Sequence, residues 1–127
     1  MIKSKKKTPL IVLDENKGLI ELKGSSIMEN AKEFYDPMME WAFEYVRHPK
    51  DTIVNIDLEY FNTSSAKIIL IFIKTLSKIK QSGYDLKVNW YYEEDDEEII
   101  DSGHNFALSS QVKFHFIKKD GERILLK

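Results

Sequence analysis

The residues best suited to chemistry in this chain are side chains of the stretch DLEYFNTSSAK, at positions 57–67. Asn62, Thr63, Ser64 and Ser65 stand there between an apolar strand-like run and an apolar helix-like run. Such residues are preferred at a helix N-cap, because their side-chain oxygens accept hydrogen bonds from the first free amides. One helix end needs one such residue, so capping explains the position of these side chains but not their number.

A hydroxyl at a strand-to-helix turn is also suited to phosphorylation. A phosphate adds about −1.5 to −2 charges, and the free amides and positive dipole end of a helix favour a negative charge. Lys67 follows Thr63 by one helical turn, where its ammonium could pair with the phosphate. Two interpretations are therefore open: a structural cap, or a switch whose added charge displaces a partner docked over the turn.

The other residue types that do chemistry form no recognisable constellation. The histidines, His48, His104 and His115, fall on separate predicted elements and lack the i, i+4 spacing of a zinc site. The chain has no cysteine, no glycine-rich phosphate loop and no nucleophile elbow. We therefore predict no enzymatic activity, no metal and no cofactor.

Two further features have alternative interpretations. The acidic run EEDDEE at 93–98 is best explained as a solvated helix start, because carboxylates complement the helix dipole there. A cation site or an electrostatic docking surface is the alternative. Trp41, Trp90, Tyr91 and Tyr92 could line an aromatic ligand pocket, although core packing is the commoner role of such residues.

The first elements follow from local patterns. Strand-like runs at Thr8–Leu13 and Leu19–Leu22 flank a loop that ends in glycine, which is typical of a β-hairpin. The residues GSS at 24–26 are expected to end the second strand. A helix follows, and we expect a break near Asp36, because the next residue is proline, and a continuation to about Arg47.

Strands and helices alternate in the rest of the chain. The predicted strands are Thr52–Phe61, Leu86–Tyr92 and Val112–Ile117, with a possible sixth at 122–127, and the predicted helices are Ser65–Lys80 and Asp95–Ala107. We therefore predict an α/β fold of order β-β-α-β-α-β-α-β, with a mixed sheet of four to six strands covered by helices. The whole chain, 1–127, is expected to form one domain that begins with a basic tail at 1–7.

Composition narrows the class of protein further. The chain has 127 residues, 43% of them hydrophobic, and a net charge of −2, which favours a packed globule without an affinity for nucleic acid. Its longest apolar runs are too short for a signal-peptide core or a membrane span, so no membrane insertion is expected. The absence of cysteine fits a cytoplasmic location.

Three blocks of sequence, in order, resemble the SiaC family of bacterial regulatory phosphoproteins. They are GSSIMENAKEFYDPMMEW at 24–41, LEYFNTSSAK at 58–67 and WYYEEDDEEIIDSG at 90–103. The resemblance implies a STAS-like fold, similar to that of anti-sigma factor antagonists, without catalytic activity. It also implies that a serine/threonine kinase phosphorylates a threonine of the NTSS motif and that a PP2C-type phosphatase removes the phosphate.

In this family the unphosphorylated form binds and activates a diguanylate cyclase, which promotes cyclic-di-GMP synthesis and biofilm formation. The resemblance assigns the phosphorylation site to Thr63, with Ser64 as the alternative. Asn62, Ser64, Ser65 and Lys67 would support the turn and contribute to the partner surface. A STAS-like module that senses a small molecule, or that binds a partner as anti-sigma antagonists do, is the second functional interpretation.

Overall fold

The computed structural model describes residues 7–119, in which strands and helices alternate in the predicted order. The strands are β1 (Leu10–Asp14), β2 (Leu19–Ser26), β3 (Thr52–Phe61), β4 (Leu86–Glu93) and β5 (Phe114–Lys119), and the helices are α1 (Ala31–Tyr45), α2 (Thr63–Gln81) and α3 (Glu97–Ser110). The predicted α/β class is confirmed. The possible strand at 122–127 and most of the basic tail lie outside the described residues.

The strands form one mixed sheet in the order β1-β2-β3-β4-β5. β1 pairs antiparallel with β2 as the predicted hairpin, and the remaining neighbours are parallel and joined by the helices. Because α2 contacts both α1 and α3, the helices form one layer. The hydrophobic core lies between this layer and the sheet, and parallel strands β2, β3 and β4 all end at the edge where the helices begin.

Strand β2 continues through Gly24 and Ser25 to Ser26, so the expectation that the residues GSS interrupt it was wrong. Its pairing with β3 shifts register after Gly24, whose φ of 120° suits glycine. Gly24 pairs with Leu58 and Ser25 pairs with Tyr60, which leaves Glu59 as the extra residue of a bulge. The bulge turns Tyr60 outward, where it is 50% exposed, and brings Ser26 level with the end of β3.

The predicted break in the first helix is absent, because α1 continues through Pro37. Asn30 caps this helix, with its Oδ1 accepting the Glu33 amide at 3.3 Å. Asp36, where the break was expected, pairs with Lys32 at 3.2 Å. Pro37 lies on the exposed side, where water can satisfy the Glu33 carbonyl that lacks its amide partner, so packing of the opposite face outweighs the local penalty. The buried residues of α1 are Ala31, Tyr35, Met38, Met39, Ala42 and Tyr45.

Helix α3 is packed closely on β4 and β5 at Gly103. A Cβ atom at this position would lie 2.6 Å from Trp90 Nε1 and 2.7 Å from Phe116 Cε2. The absence of a side chain therefore allows the helix to approach the sheet. Trp90 Nε1 donates to the Ile99 carbonyl at 2.9 Å, which fixes the first turn of α3 over β4.

Candidate functional site

The NTSS motif forms the turn from β3 into α2, at the carboxyl edge of the parallel strands. Asn62 is the N-cap: its Oδ1 accepts the Ser65 amide at 3.1 Å. Its Nδ2 donates to the Met28 carbonyl at 2.9 Å, which ties the turn to the segment between β2 and α1. The capping interpretation is thus confirmed, and one residue of the motif performs it.

Ser64 makes a second link to the same segment. Its Oγ donates to the Met28 carbonyl at 2.9 Å and lies 3.3 Å from Asn62 Oδ1. The side chain is half-buried. Its hydroxyl is therefore both engaged and partly covered.

Ser65 lies in a buried hydroxyl network formed with Ser26 and Tyr35, all with 0% of their surface exposed. Ser26 Oγ donates to Ser65 Oγ at 2.7 Å, Ser65 Oγ donates to the Ser26 carbonyl at 3.0 Å, and the Tyr35 hydroxyl lies 2.6 Å from Ser26 Oγ. Burial raises the pKa of Tyr35 to about 12, against the lowering effect of its hydrogen bond with Ser26. The network joins β2, α1 and α2 beneath the turn.

Thr63, the first residue of α2, differs from its neighbours in the motif. It is exposed, and its hydroxyl has no hydrogen-bond partner within residues 7–119. Lys67 is also exposed and lies on the same side of the helix one turn later. Ile27, directly after β2, and Tyr60, near the end of β3, are 37% and 50% exposed and place apolar surface at the same edge.

The residues expected to support the turn and to contact a partner therefore differ in exposure. Lys67 is exposed, Asn62 and Ser64 are half-buried, and Ser65 is fully buried. Ser65 cannot contribute to a contact surface in this conformation, because the network beneath the turn encloses its hydroxyl. Its role is to support the turn, and sequence reasoning missed the two residues, Ser26 and Tyr35, that hold it.

The other candidate groups do not converge on a site. Asp96 caps α3 through the Ile99 amide at 3.1 Å, so the acidic run begins a helix as predicted. His48 lies 3.4 Å from Glu44, and His104 stacks on Phe116 instead of meeting another histidine. Within the described ranges, no group of three or more side chains is arranged to hold a metal ion.

The aromatic pocket considered from the sequence is not formed. Trp90 is 1% exposed in the core, against Phe106 and Phe114. Trp41 lies on α1 and stacks on Tyr45, with ring centroids 4.4 Å apart. Trp90, on β4, and Trp41, on α1, therefore serve packing in different parts of the molecule.

The fold and the turn define a small α/β domain in which one layer of helices covers a mixed sheet. The sequence profile of the SiaC family regulatory phosphoproteins matches residues 2–119, and the chain belongs to this family. An uncharacterized protein of Pseudomonas aeruginosa strain UCBPP-PA14 is 24% identical over 108 residues, which cover 84% of this chain and 86% of that protein.

Solved structures have the same fold. One is a chain of the complex of the diguanylate cyclase SiaD with its activator SiaC from Pseudomonas aeruginosa, with a TM-score of 0.85, 23% identity and coverage of 93% of this chain and 98% of that one. Apo-SiaC from the same organism gives a TM-score of 0.79 at 23% identity, over 94% of this chain and 96% of that one. None of the helices described here is long and apolar enough to cross a bilayer.

Proposed function

We propose that this chain is a non-catalytic signalling adaptor switched by reversible phosphorylation of Thr63. The observation that carries the proposal is the contrast within the NTSS turn: Thr63 alone of its four residues has an exposed hydroxyl without a partner in the described part of the chain. A kinase needs a hydroxyl that it can reach and that no hydrogen bond holds. The hydroxyl of Ser64, the alternative site, would first have to break its hydrogen bond with the Met28 carbonyl.

The local electrostatics allow a phosphate on Thr63 without refolding. Asn62 satisfies the Ser65 amide, and the earlier amides of α2, those of Thr63 and Ser64, have no acceptor among the described residues. These amides and the helix dipole favour an anion. Lys67 adds a positive charge one turn away. The modification would therefore change the charge of the surface while the buried hydroxyl network keeps the turn in place.

The partner of the unphosphorylated form is, in this proposal, a diguanylate cyclase, which the adaptor activates. The SiaC relative in the solved complex is the activator of such a cyclase, and family membership supports the transfer. A serine/threonine kinase would add the phosphate and a PP2C-type phosphatase would remove it. Since the kinase uses ATP and the cyclase uses GTP from the cell interior, the proposal places the chain in the cytoplasm.

A binding experiment with the cognate cyclase tests the proposal. Thr63→Ala should bind and activate the cyclase like the wild type, whereas Thr63→Glu should bind at least tenfold more weakly, because the carboxylate adds charge to the docking surface. Ser109→Glu is the matched control, since Ser109 is an exposed hydroxyl on α3, far along the chain from the turn. Equal binding of Thr63→Glu, phosphorylated protein and wild type would rule out the switch.

A further inference from the structure

A cleft lies at the edge of the sheet opposite Thr63. Its cavity measures about 660 Å³, which is within the range of about 300–1,000 Å³ typical of small-molecule sites. Strand β3 spans ten residues between the two edges, or roughly 33 Å. The cleft is formed by the hairpin loop, the starts of β3 and β4, the end of α2 and one residue of β5. Its lining residues are Lys17, Gly18, Asp51, Thr52, Ile53, Lys80, Tyr84, Asp85, Leu86, Lys87 and His115.

Positive charge predominates in the cleft. Lys17, Lys80 and Lys87 are exposed, and their ammonium groups make no ion pair with any described residue. Of the two carboxylates, that of Asp51 is already engaged, because it accepts the Asp85 amide at 2.9 Å. The α2 carbonyl end lies at this edge, so lysine side chains and not a helix dipole would have to hold an anion here.

A buried acceptor without a donor lies beside the cleft. Asn89 is 8% exposed; its Nδ2 donates to Asn55 Oδ1 at 2.8 Å, and Asn55 Nδ2 donates to Glu21 Oε2 at 3.0 Å. Because a carboxylate only accepts, this chain of bonds orients both amides and directs Asn89 Oδ1 away from them. That oxygen has no hydrogen-bond partner among residues 7–119. A buried acceptor left without a donor destabilises the fold, so a ligand that supplies the donor is favoured.

The unpaired oxygen belongs to the same face of the sheet as the cleft. Asn89 pairs with His115 across β4 and β5, and Lys87 is its neighbour on that face of β4. Both neighbours line the cleft. Ile53 and Tyr84, which are 45% and 43% exposed, add apolar and aromatic surface on which a flat ring can stack.

We propose that this cleft binds a small organic phosphate, with the phosphate held by the lysines and an N–H or O–H group of the ligand donating to Asn89. Nucleotides combine these groups with a flat base that fits Tyr84, so AMP is the first probe. The proposal is independent of the Thr63 switch, because the site uses other residues at the other edge of the sheet.

Calorimetric titration of the full chain with AMP and with ribose 5-phosphate tests the proposal. AMP should bind, and the double change Lys80→Met, Lys87→Met should weaken its binding at least tenfold. The matched control is Lys74→Met, Lys78→Met, which removes the same charge from exposed positions of α2 outside the cleft. If ribose 5-phosphate binds as tightly as AMP, the lysines bind the phosphate as proposed, but Tyr84 does not stack on the base.

Amide chemical-shift mapping on the wild type provides a readout that does not depend on folding of the variants. AMP should shift the resonances of Lys87, Asn89 and His115 and leave those of Thr63 and Ser64 unchanged. Absence of binding by both probes at millimolar concentration would overturn the proposal. So would an equal loss of AMP affinity in the control variant, or shifts confined to the edge that carries Thr63.

Discussion

Two hydroxyls of one turn, those of Thr63 and Ser65, have opposite environments. Thr63 is exposed without a partner in the described structure, whereas Ser65 is 0% exposed and bonded to Ser26. Residues two positions apart in an α-helix are separated by about 200° around its axis, so the side chains of Thr63 and Ser65 face opposite sides. A single helix start can therefore present one group to modifying enzymes while another holds the turn.

The difference also explains how the charge of the site can change without a change of fold. Asn62 and Ser64 fix the turn to Met28, and Ser65 fixes it to Ser26 and Tyr35 from below. None of these bonds uses the Thr63 hydroxyl. We therefore expect phosphorylation to act on a partner's surface and not on the domain's own stability.

The largest difference in stability is expected when the same substitution is made at the two positions. Ser65→Glu places a carboxylate in the buried network, where an uncompensated charge costs about 3–5 kcal/mol. Thr63→Glu leaves the charge in solvent at a helix N-terminus, so we expect a change within about 0.5 kcal/mol. Chemical denaturation of both variants and the wild type measures the difference. Equal destabilisation would show that Thr63 and Ser65 are not distinct in role.

Alkaline pH should lower the free energy of unfolding through ionisation of Tyr35 in the buried hydroxyl network. An unfolded tyrosine ionises near pH 10, whereas burial raises the pKa of Tyr35 to about 12. Between these values the folded state retains a proton that the unfolded state loses. The contribution of Tyr35 to stability is therefore fully present below pH 10. The free energy of unfolding should fall by about 2–3 kcal/mol as the pH rises to 12.

Tyr35→Phe is the control for this dependence. It lacks the titrating hydroxyl, so its free energy of unfolding should decline less over the same range. Part of the decline remains, because burial also raises the pKa of Tyr45, against the hydrogen bond with Thr52. A decline in Tyr35→Phe as steep as in the wild type would show that Tyr35 does not ionise differently in the two states.

The cap itself should have a smaller effect. Asn62→Ala removes the acceptor of the Ser65 amide and should lower the free energy of unfolding by about 1 kcal/mol. Asn62→Asp keeps the capping oxygen and loses only the donor to the Met28 carbonyl, which Ser64 still serves. The free energy of unfolding should therefore fall less in Asn62→Asp than in Asn62→Ala. Thermal unfolding of the pair separates the two contributions, and an aspartate variant as unstable as the alanine variant would contradict the assignment of the cap.

The smallest expected effects are those of alanine at the two middle positions. Ser64→Ala loses a hydrogen bond whose acceptor retains another donor, so we expect a loss of about 0.5–1 kcal/mol. Thr63→Ala removes a hydroxyl that has no partner among the described residues, and it should change stability by less than about 0.5 kcal/mol. Unfolding midpoints of the two variants check this order. A larger loss for Thr63→Ala would reveal a structural role for that hydroxyl.

Local patterns predicted most of the fold. Strand β3 has the predicted bounds, Thr52–Phe61, because alternation and flanking turn residues are local signals. The break at Asp36 was wrong, since the penalty of proline is local whereas the buried face that offsets it is set by packing. The bulge at Glu59 was not foreseen, because it depends on pairing between β2 and β3, and alternation along one strand cannot show it.

The site could be predicted only in part. Residue types indicated a cap, and the family resemblance indicated Thr63. The division of roles within the motif depends on contacts that are distant in sequence: Ser26 lies 39 residues before Ser65, and the Met28 carbonyl accepts from Ser64 across 36 residues. The spacing of residues within the motif does not indicate which hydroxyl forms a hydrogen bond.

Mapping of the phosphorylated residue tests the central proposal most directly. After incubation of the full chain with its cognate kinase and ATP, mass spectrometry of the peptides should find one phosphate per chain, on Thr63, and none in Thr63→Ala. Phosphate on Ser64 or Ser65 in the wild type, or unchanged incorporation in Thr63→Ala, would contradict the account.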